Sequence, residues 1–169
     1  MAFKGHKAVI YALAVAPDGY TTASCSGDHT IKSWDLRERT RSEARLNFII
    51  EDMPDQPIDV VFSPDSRYIA LGFLDNSVEL RNNKTGGLLH RLKAHSNEVF
   101  SVRFSPDSQT LISASLDSTI RTWDISEIEN RLSLLLNKQL KLHRVGPLHH
   151  KLILSELITY SRTSYFVVS

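Results

Sequence analysis

The sequence predicts an all-β fold in which one short multi-stranded unit recurs three times. Three observations predict it. APDGYTTASCSGDHTIKSWD starts at Ala16, SPDSRYIALGFLDNSVELRN at Ser63 and SPDSQTLISASLDSTIRTWD at Ser105, offsets of 47 and 42 residues. Within each copy Pro17, Pro64 and Pro106 lie 11 residues before Asp28, Asp75 and Asp117, which lie 6 before Trp34, Arg81 and Trp123. All length variation falls between the copies, where loops absorb insertions at little cost.

Each copy reads as short strands in order. IYALAVA, IDVVFS and VFSVRFS have the apolar or alternating character of inner strands. A Pro-Asp turn follows, its φ preset by proline and its aspartate able to bond back to the backbone. TTASCS, YIALGF and TLISAS give the second strand. A tight turn follows at Gly27-Asp28-His29, Leu74-Asp75-Asn76 and Leu116-Asp117-Ser118. TIKSWDL, SVELRN and TIRTWDI give the third, and GGLLHRL at 86–92 a fourth, outer strand after copy two. Four strands at a period of roughly 40–45 residues is the pattern of a β-propeller blade. Residues 1–125 therefore divide into units of about 3–45, 46–92 and 93–125.

Residues 126–169 differ in character. They carry net +3, against −2 for residues 1–125. Ile128, Leu132, Leu135 and Leu136 recur near helical spacing, Gly146-Pro147 breaks the pattern, and SYFVVS reads as extended. This partly helical tail has two readings, an apolar cap over the third unit or unselected sequence from a truncated product.

Composition excludes several functions. With 20 basic and 19 acidic residues there is no excess charge to displace phosphate counterions, so no direct nucleic-acid partner is expected. No apolar run approaches the ~20 residues of a membrane span, so no membrane partner is expected. The single cysteine, Cys25, allows no internal disulfide and suits a reducing compartment; it reads as a small buried hydrophobe. His143, His149 and His150 lack cysteine partners, so no metal is expected. No glycine-rich phosphate loop is present, and no cofactor is expected.

Gly5-His6 with Trp34-Asp35, and Ala94-His95 with Trp123-Asp124, resemble the paired signatures of the WD40 repeat; the histidine lies 22 residues before the aspartate in both. The resemblance implies a partial propeller of three WD40 blades. It also implies a hydrogen-bonded tetrad in each complete blade, in which histidine bridges aspartate to a strand hydroxyl that reaches the indole. The members are His6, Ser24, Asp28 and Trp34, repeated as His95, Ser113, Asp117 and Trp123, with Ser26 an alternative to Ser24. A serine-hydrolase triad is the competing reading, but a triad built twice at a fixed period is improbable, so no catalytic residue is assigned. Copy two has Met53, Leu71, Phe73 and Arg81 in place of the histidine, hydroxyl and tryptophan positions. It is expected to be held by apolar packing of Val61, Phe62, Ile69, Leu71 and Phe73.

The same resemblance implies two positions per blade on a partner-binding face: Gly27, Leu74 and Leu116 before the turn aspartate, and Tyr11, Ile58 and Phe100 at the start of the inner strand. Large apolar groups at solvated turns suit protein recognition, with extra core packing as the alternative. The blade wording, including Ile50-Glu51-Asp52 ahead of a histidine-less second copy, is similar to the fungal Tup-type, Groucho-like general transcriptional corepressors. That resemblance implies a nuclear, non-enzymatic protein linking DNA-bound repressors to chromatin or histone-associated factors through Tyr11, Leu74 and Phe100, with Leu116 beside them. Other WD40 scaffolds, such as a ubiquitin-ligase substrate receptor, are the alternative. Three blades leave open edges, through which self-association is expected.

Overall fold

The computed structural model describes residues 2–37 and 44–126; the tail assigned above to 127–169 lies outside the described residues. The described chain is all-β, with eleven strands in three antiparallel sheets. Blade 1 is β1 (Ile10–Val15), β2 (Thr21–Ser26), β3 (Thr30–Asp35) and β4 (Arg45–Ile50) in that order. Blade 2 is β5 (Pro57–Phe62), β6 (Tyr68–Phe73), β7 (Ser77–Asn82) and β8 (Leu88–Lys93). Blade 3 is β9 (Val99–Phe104), β10 (Thr110–Ser115) and β11 (Ile120–Asp124).

The sequence boundary at residue 46 cuts through β4, whose Ile49 pairs with Lys32 and Ile50 with Ile31. The end of each sequence copy and the end of each sheet are thus different places. The outer strand of one blade runs directly into the signature histidine, or its replacement, of the next.

The turns repeat as closely as the strands. His29, Asn76 and Ser118 all take positive φ, between 60° and 70°, one residue after the turn aspartate. In each case the aspartate bonds forward to the backbone N–H of Thr30, Ser77 or Thr119 and so stabilises a left-handed residue without glycine. The Pro-Asp turns place Gly19, Ser66 and Ser108 in the left-handed region as well. There the two serines do further work: Ser66 Oγ accepts from the Asp18 amide at 3.1 Å and Ser108 Oγ from the Asp65 amide at 3.2 Å, each reaching across to the preceding blade.

Side chains alternate across each sheet, so every blade has two faces. Blade 1 turns Ala12, Ala14, Ala23, Cys25, Ile31 and Ile50 toward blade 2, which answers with Val60, Phe62, Ile69, Leu71 and Phe73. Blade 2 turns Tyr68, Ala70, Val78 and Leu80 toward Val99, Val102, Leu111 and Trp123 of blade 3. Val61 belongs to this second layer, not to the first as its grouping with Phe62 and Leu71 had suggested. Cys25 is fully buried between blades 1 and 2, and burial pushes its thiol up to about 12, which makes it inert.

Gly72 marks the closest approach of two blades. A Cβ there would lie 2.6 Å from the Val99 carbonyl oxygen, a backbone atom that cannot swing aside. Gly72→Ala should therefore cost about 1–3 kcal/mol through overpacking, measured as a lower denaturation midpoint. A midpoint equal to wild type would mean that blades 2 and 3 do not seat this closely.

Candidate functional site

In blade 1, His6 Nε2 lies 2.8 Å from Ser24 Oγ, and Trp34 Nε1 donates to the same oxygen at 3.1 Å. His6 Nδ1 lies 3.0 Å from Asp28 Oδ2. Blade 3 repeats this: His95 Nε2 to Ser113 Oγ at 2.8 Å, Trp123 Nε1 to Ser113 Oγ at 2.9 Å and His95 Nδ1 to Asp117 Oδ2 at 2.8 Å. With the imidazole proton on Nδ1, each serine donates to histidine and accepts from indole, so the imidazole, hydroxyl and indole of both tetrads are paired. Ser24, not Ser26, joins the network; Ser26 Oγ instead accepts from the Asp28 amide and donates to the Ala8 carbonyl.

These distances also decide what the set can do chemically. Each serine is buried, and its oxygen is committed to an indole N–H. A nucleophile needs an approach path, and burial beneath the indole denies one to both serines. The carboxylates sit well below the usual range. Burial alone would raise Asp28, but the Lys7 amide, the Thr30 hydroxyl and His6 outweigh it. Burial likewise opposes the shift of Asp117, which the Thr119 hydroxyl, His95 and the Ser96 amide bring about.

Blade 2 departs from the expectation of purely apolar packing. Arg81 replaces the tryptophan and is fully buried, as is Glu79 two residues before it. Arg81 Nε donates to Glu79 Oε2 at 2.7 Å, and its Nη1 donates to the Gly86 carbonyl at 3.0 Å and to Asp52 Oδ1 at 3.2 Å. Arg91 closes the other Glu79 oxygen at 2.7 Å through Nε. An ionic cluster thus stands where the other blades keep the tetrad, and it ties the 51–56 connection to the outer strands of blade 2. The signal was present in the sequence: Glu79 and Arg81 share a strand face, and a charge pair at interior positions needs mutual partners. Met53, at the histidine position, packs against the apolar layer between blades 1 and 2.

The expected partner-binding positions come together in pairs. The amide one residue before each turn aspartate donates to the connection preceding the inner strand: Gly27 to Val9 O at 2.9 Å, Leu74 to Gln56 O at 3.2 Å and Leu116 to Glu98 O at 3.0 Å. Tyr11, Phe100 and Leu116 are each about half exposed, at 49%, 50% and 56%. Leu74 and Ile58 are only partly exposed, so the apolar surface is weaker on blade 2 than the sequence suggested. Gly27 has its own reason: a Cβ there would meet the Tyr11 ring at 3.3 Å and the Gln56 amide at 2.7 Å. Among the described residues no group of three His, Cys, Asp or Glu side chains is placed to hold a metal ion.

Comparison with known proteins places this geometry. The WD domain, G-beta repeat family matches residues 1–35 and 86–124. Those segments hold the two complete tetrads. Over 121 residues the chain is 31% identical to an uncharacterized WD repeat-containing protein of Synechocystis sp., covering 71% of this chain and 33% of that protein. It is 30% identical over 135 residues to the small ribosomal subunit protein RACK1 of Schizosaccharomyces pombe, covering 73% of this chain and 40% of that one. It is 31% identical over 124 residues to the U3 small nucleolar RNA-associated protein 21 of Saccharomyces cerevisiae, covering 73% and 12%. The chain thus spans well under half the length of each of these relatives.

Two outcomes test the tetrad. Ser113→Ala leaves His95 Nε2 and the Trp123 indole unpaired in the interior, which should cost about 1–3 kcal/mol; an unchanged denaturation midpoint would refute the network. The depressed aspartates add stability that is present above their ordinary value of 3.8 and lost as pH falls below it. The melting temperature should therefore fall on acidification from about pH 5 to about pH 3, less steeply in Asp117→Asn. An equal slope in the variant would contradict the assignment.

Proposed function

We propose that this chain, a WD40-repeat protein, is a non-catalytic docking module that binds protein segments through Tyr11, Phe100 and Leu116, with Leu74 at the margin of the same surface. The carrying observation is the half exposure of three large apolar side chains at repeat-equivalent positions, two of them aromatic. Solvated turns do not need such residues, and Gly27 occupies the position of Leu116 in blade 1 without disturbing the turn. Aromatic groups bury large area with few rotors, which suits a recognition hot spot. WD40 domains in general bind other proteins, and the serines that a hydrolase would need are buried in the tetrads.

The finer reading is that the docked partners are DNA-bound repressors and chromatin or histone-associated factors, with the chain acting in the nucleus as part of a Tup-type corepressor. Its support is the blade wording: the Gly-His and Trp-Asp pairs with Ile50-Glu51-Asp52 before a second blade that lacks the histidine. The cluster of Glu79, Arg81, Arg91 and Asp52 gives that departure a physical role rather than leaving it a lost tetrad.

Titration of fluorescent repressor-derived segments against the chain and against Phe100→Ala and Leu116→Asp tests both halves. Each substitution should weaken binding at least tenfold, about 1.4 kcal/mol, with an unchanged melting temperature because these side chains face solvent. Undiminished affinity in both variants would overturn the docking surface. Binding of other protein segments but of no repressor segment, lost in the same variants, would overturn the corepressor reading and keep the docking one.

A further inference from the structure

The two ends of the strands carry charge differently. Antiparallel strands send successive connections to opposite ends of a sheet. The Pro-Asp turns at 17–19, 64–66 and 106–108 lie at one end. Tyr11, Phe100 and Leu116 lie at the other, with the turn aspartates. At the Pro-Asp end the acids of blades 1 and 2 are matched by arginines. Arg37 Nη2 lies 2.6 Å from Asp35 Oδ2, and Arg67 Nη2 lies 2.7 Å from Asp65 Oδ2. At the Tyr11 end that balance is lost. Residues 5–9, 27–29, 51–56, 74–76, 94–98 and 116–119 hold seven carboxylates against one lysine, Lys7.

Four of the seven are already engaged. Asp28 and Asp117 belong to the tetrads, Asp52 meets Arg81, and Asp75 faces Lys93 Nζ at 3.8 Å. Glu51, Asp55 and Glu98 have no cationic partner among the described residues, and the Asp55 carboxylate accepts only the Gln56 amide at 2.7 Å. Glu98 is the one that belongs to the apolar surface. It is half-buried, it lies two residues before Phe100, and its carbonyl accepts the Leu116 amide at 3.0 Å. A segment that covers Phe100 and Leu116 therefore strips water from an unpaired carboxylate. Burying a charge without a partner is costly, and a cation brought by the segment offsets that cost. An acidic segment meets repulsion from the same carboxylates.

We propose that the protein segment taken by this surface is basic: a large apolar side chain covers Phe100 and Leu116, and a lysine or arginine beside it pairs with the Glu98 carboxylate. Asp55 and Glu51 attract the same segment at longer range and speed its approach. The assignment rests on the docking surface proposed above and names the chemistry of what docks there.

Selection of displayed random short peptides on the full chain tests this, followed by titration of the enriched peptides against wild type, Phe100→Ala and Glu98→Gln. The enriched peptides should combine a large apolar residue with an excess of lysine and arginine. Their binding should be lost on Phe100→Ala, weaken several-fold on Glu98→Gln and weaken with added salt. The same peptides with lysine and arginine replaced by glutamine should bind wild type and Glu98→Gln equally. The Glu98 carboxylate has no partner to lose in the free chain, so the melting temperature of Glu98→Gln should match wild type. Neutral or acidic peptides that depend on Phe100 would overturn the basic segment and leave the docking surface standing. Basic peptides that bind Glu98→Gln as tightly as wild type would overturn the pairing. Peptides indifferent to Phe100→Ala, or a selection that enriches none, would overturn the docking surface and this assignment with it.

Discussion

Everything in this molecule depends on the apposition of one sheet's face against the next. A sheet of three or four short strands cannot bury either face by itself, and an isolated blade would expose as much apolar surface as it covered. Stacking supplies the missing cover. Blade 2 is enclosed on both sides, and in β6 all six residues are buried. On β1 and β11 the burial is patchy, because each has an exposed face among the described residues, whereas β2 and β3 of blade 1 are buried at five of their six positions. The small residues at the contacts follow from the same constraint: Ala12, Ala14, Ala23 and Cys25 let blade 2 approach, and Gly72 lets blade 3 approach closer still.

The polar interior solves a different problem. Neighbouring faces made only of aliphatic side chains could slide over one another, since apolar burial is non-directional. The tetrads supply direction. Each ties the loop before a blade, through its histidine, to the second strand, to the turn aspartate and to the indole of the third strand. In blade 2 the same office is held by full charges. Glu79 accepts from two arginines, and Arg81 reaches both the Gly86 carbonyl and Asp52 in the incoming connection. The ion pair with Glu79 offsets part of the cost of burying Arg81, whose Nη2 has no hydrogen-bond partner among the described residues. The Asp59 carboxylate adds a further tie, accepting from the Val102 amide at 2.8 Å and from Arg103 at 2.7 Å across the junction of blades 2 and 3.

Much of this was legible in the sequence because repetition turns weak local signals into a strong collective one. Strand order and the turn aspartates follow from fixed spacing, and the pairing of His6 with Asp28 is what the resemblance to the WD40 repeat implied. Spacing alone could not separate Ser24 from Ser26: both lie on the same face of β2, and only the position of the Trp34 indole decides. The fate of Arg81 was only half legible, through Glu79 two residues before it on the same strand face. A lone arginine in a strand reads as solvated until Glu79, Arg91 and Asp52 are brought around it, and Arg91 and Asp52 come from other elements. β4 was missed because its exposed residues carry no inward alternation except at Phe48 and Ile50. The contrast between Leu74 and Leu116 was likewise invisible, since identical turn positions differ in exposure only through their neighbours.

Blade 2 is the stability centre, and Tyr11, Phe100 and Leu116 stand half exposed on the blades either side of it. Native-state hydrogen exchange tests this most directly, because amides open with free energies that track how completely their element is enclosed. Amides of β6 and β7 should be the slowest to exchange, at or near the global unfolding free energy, with β2 and β10 intermediate and the outer edge of β11 fastest. Slow exchange centred on β2 or β10, with β6 and β7 opening early, would contradict a fold held together by closure of both faces of its middle sheet.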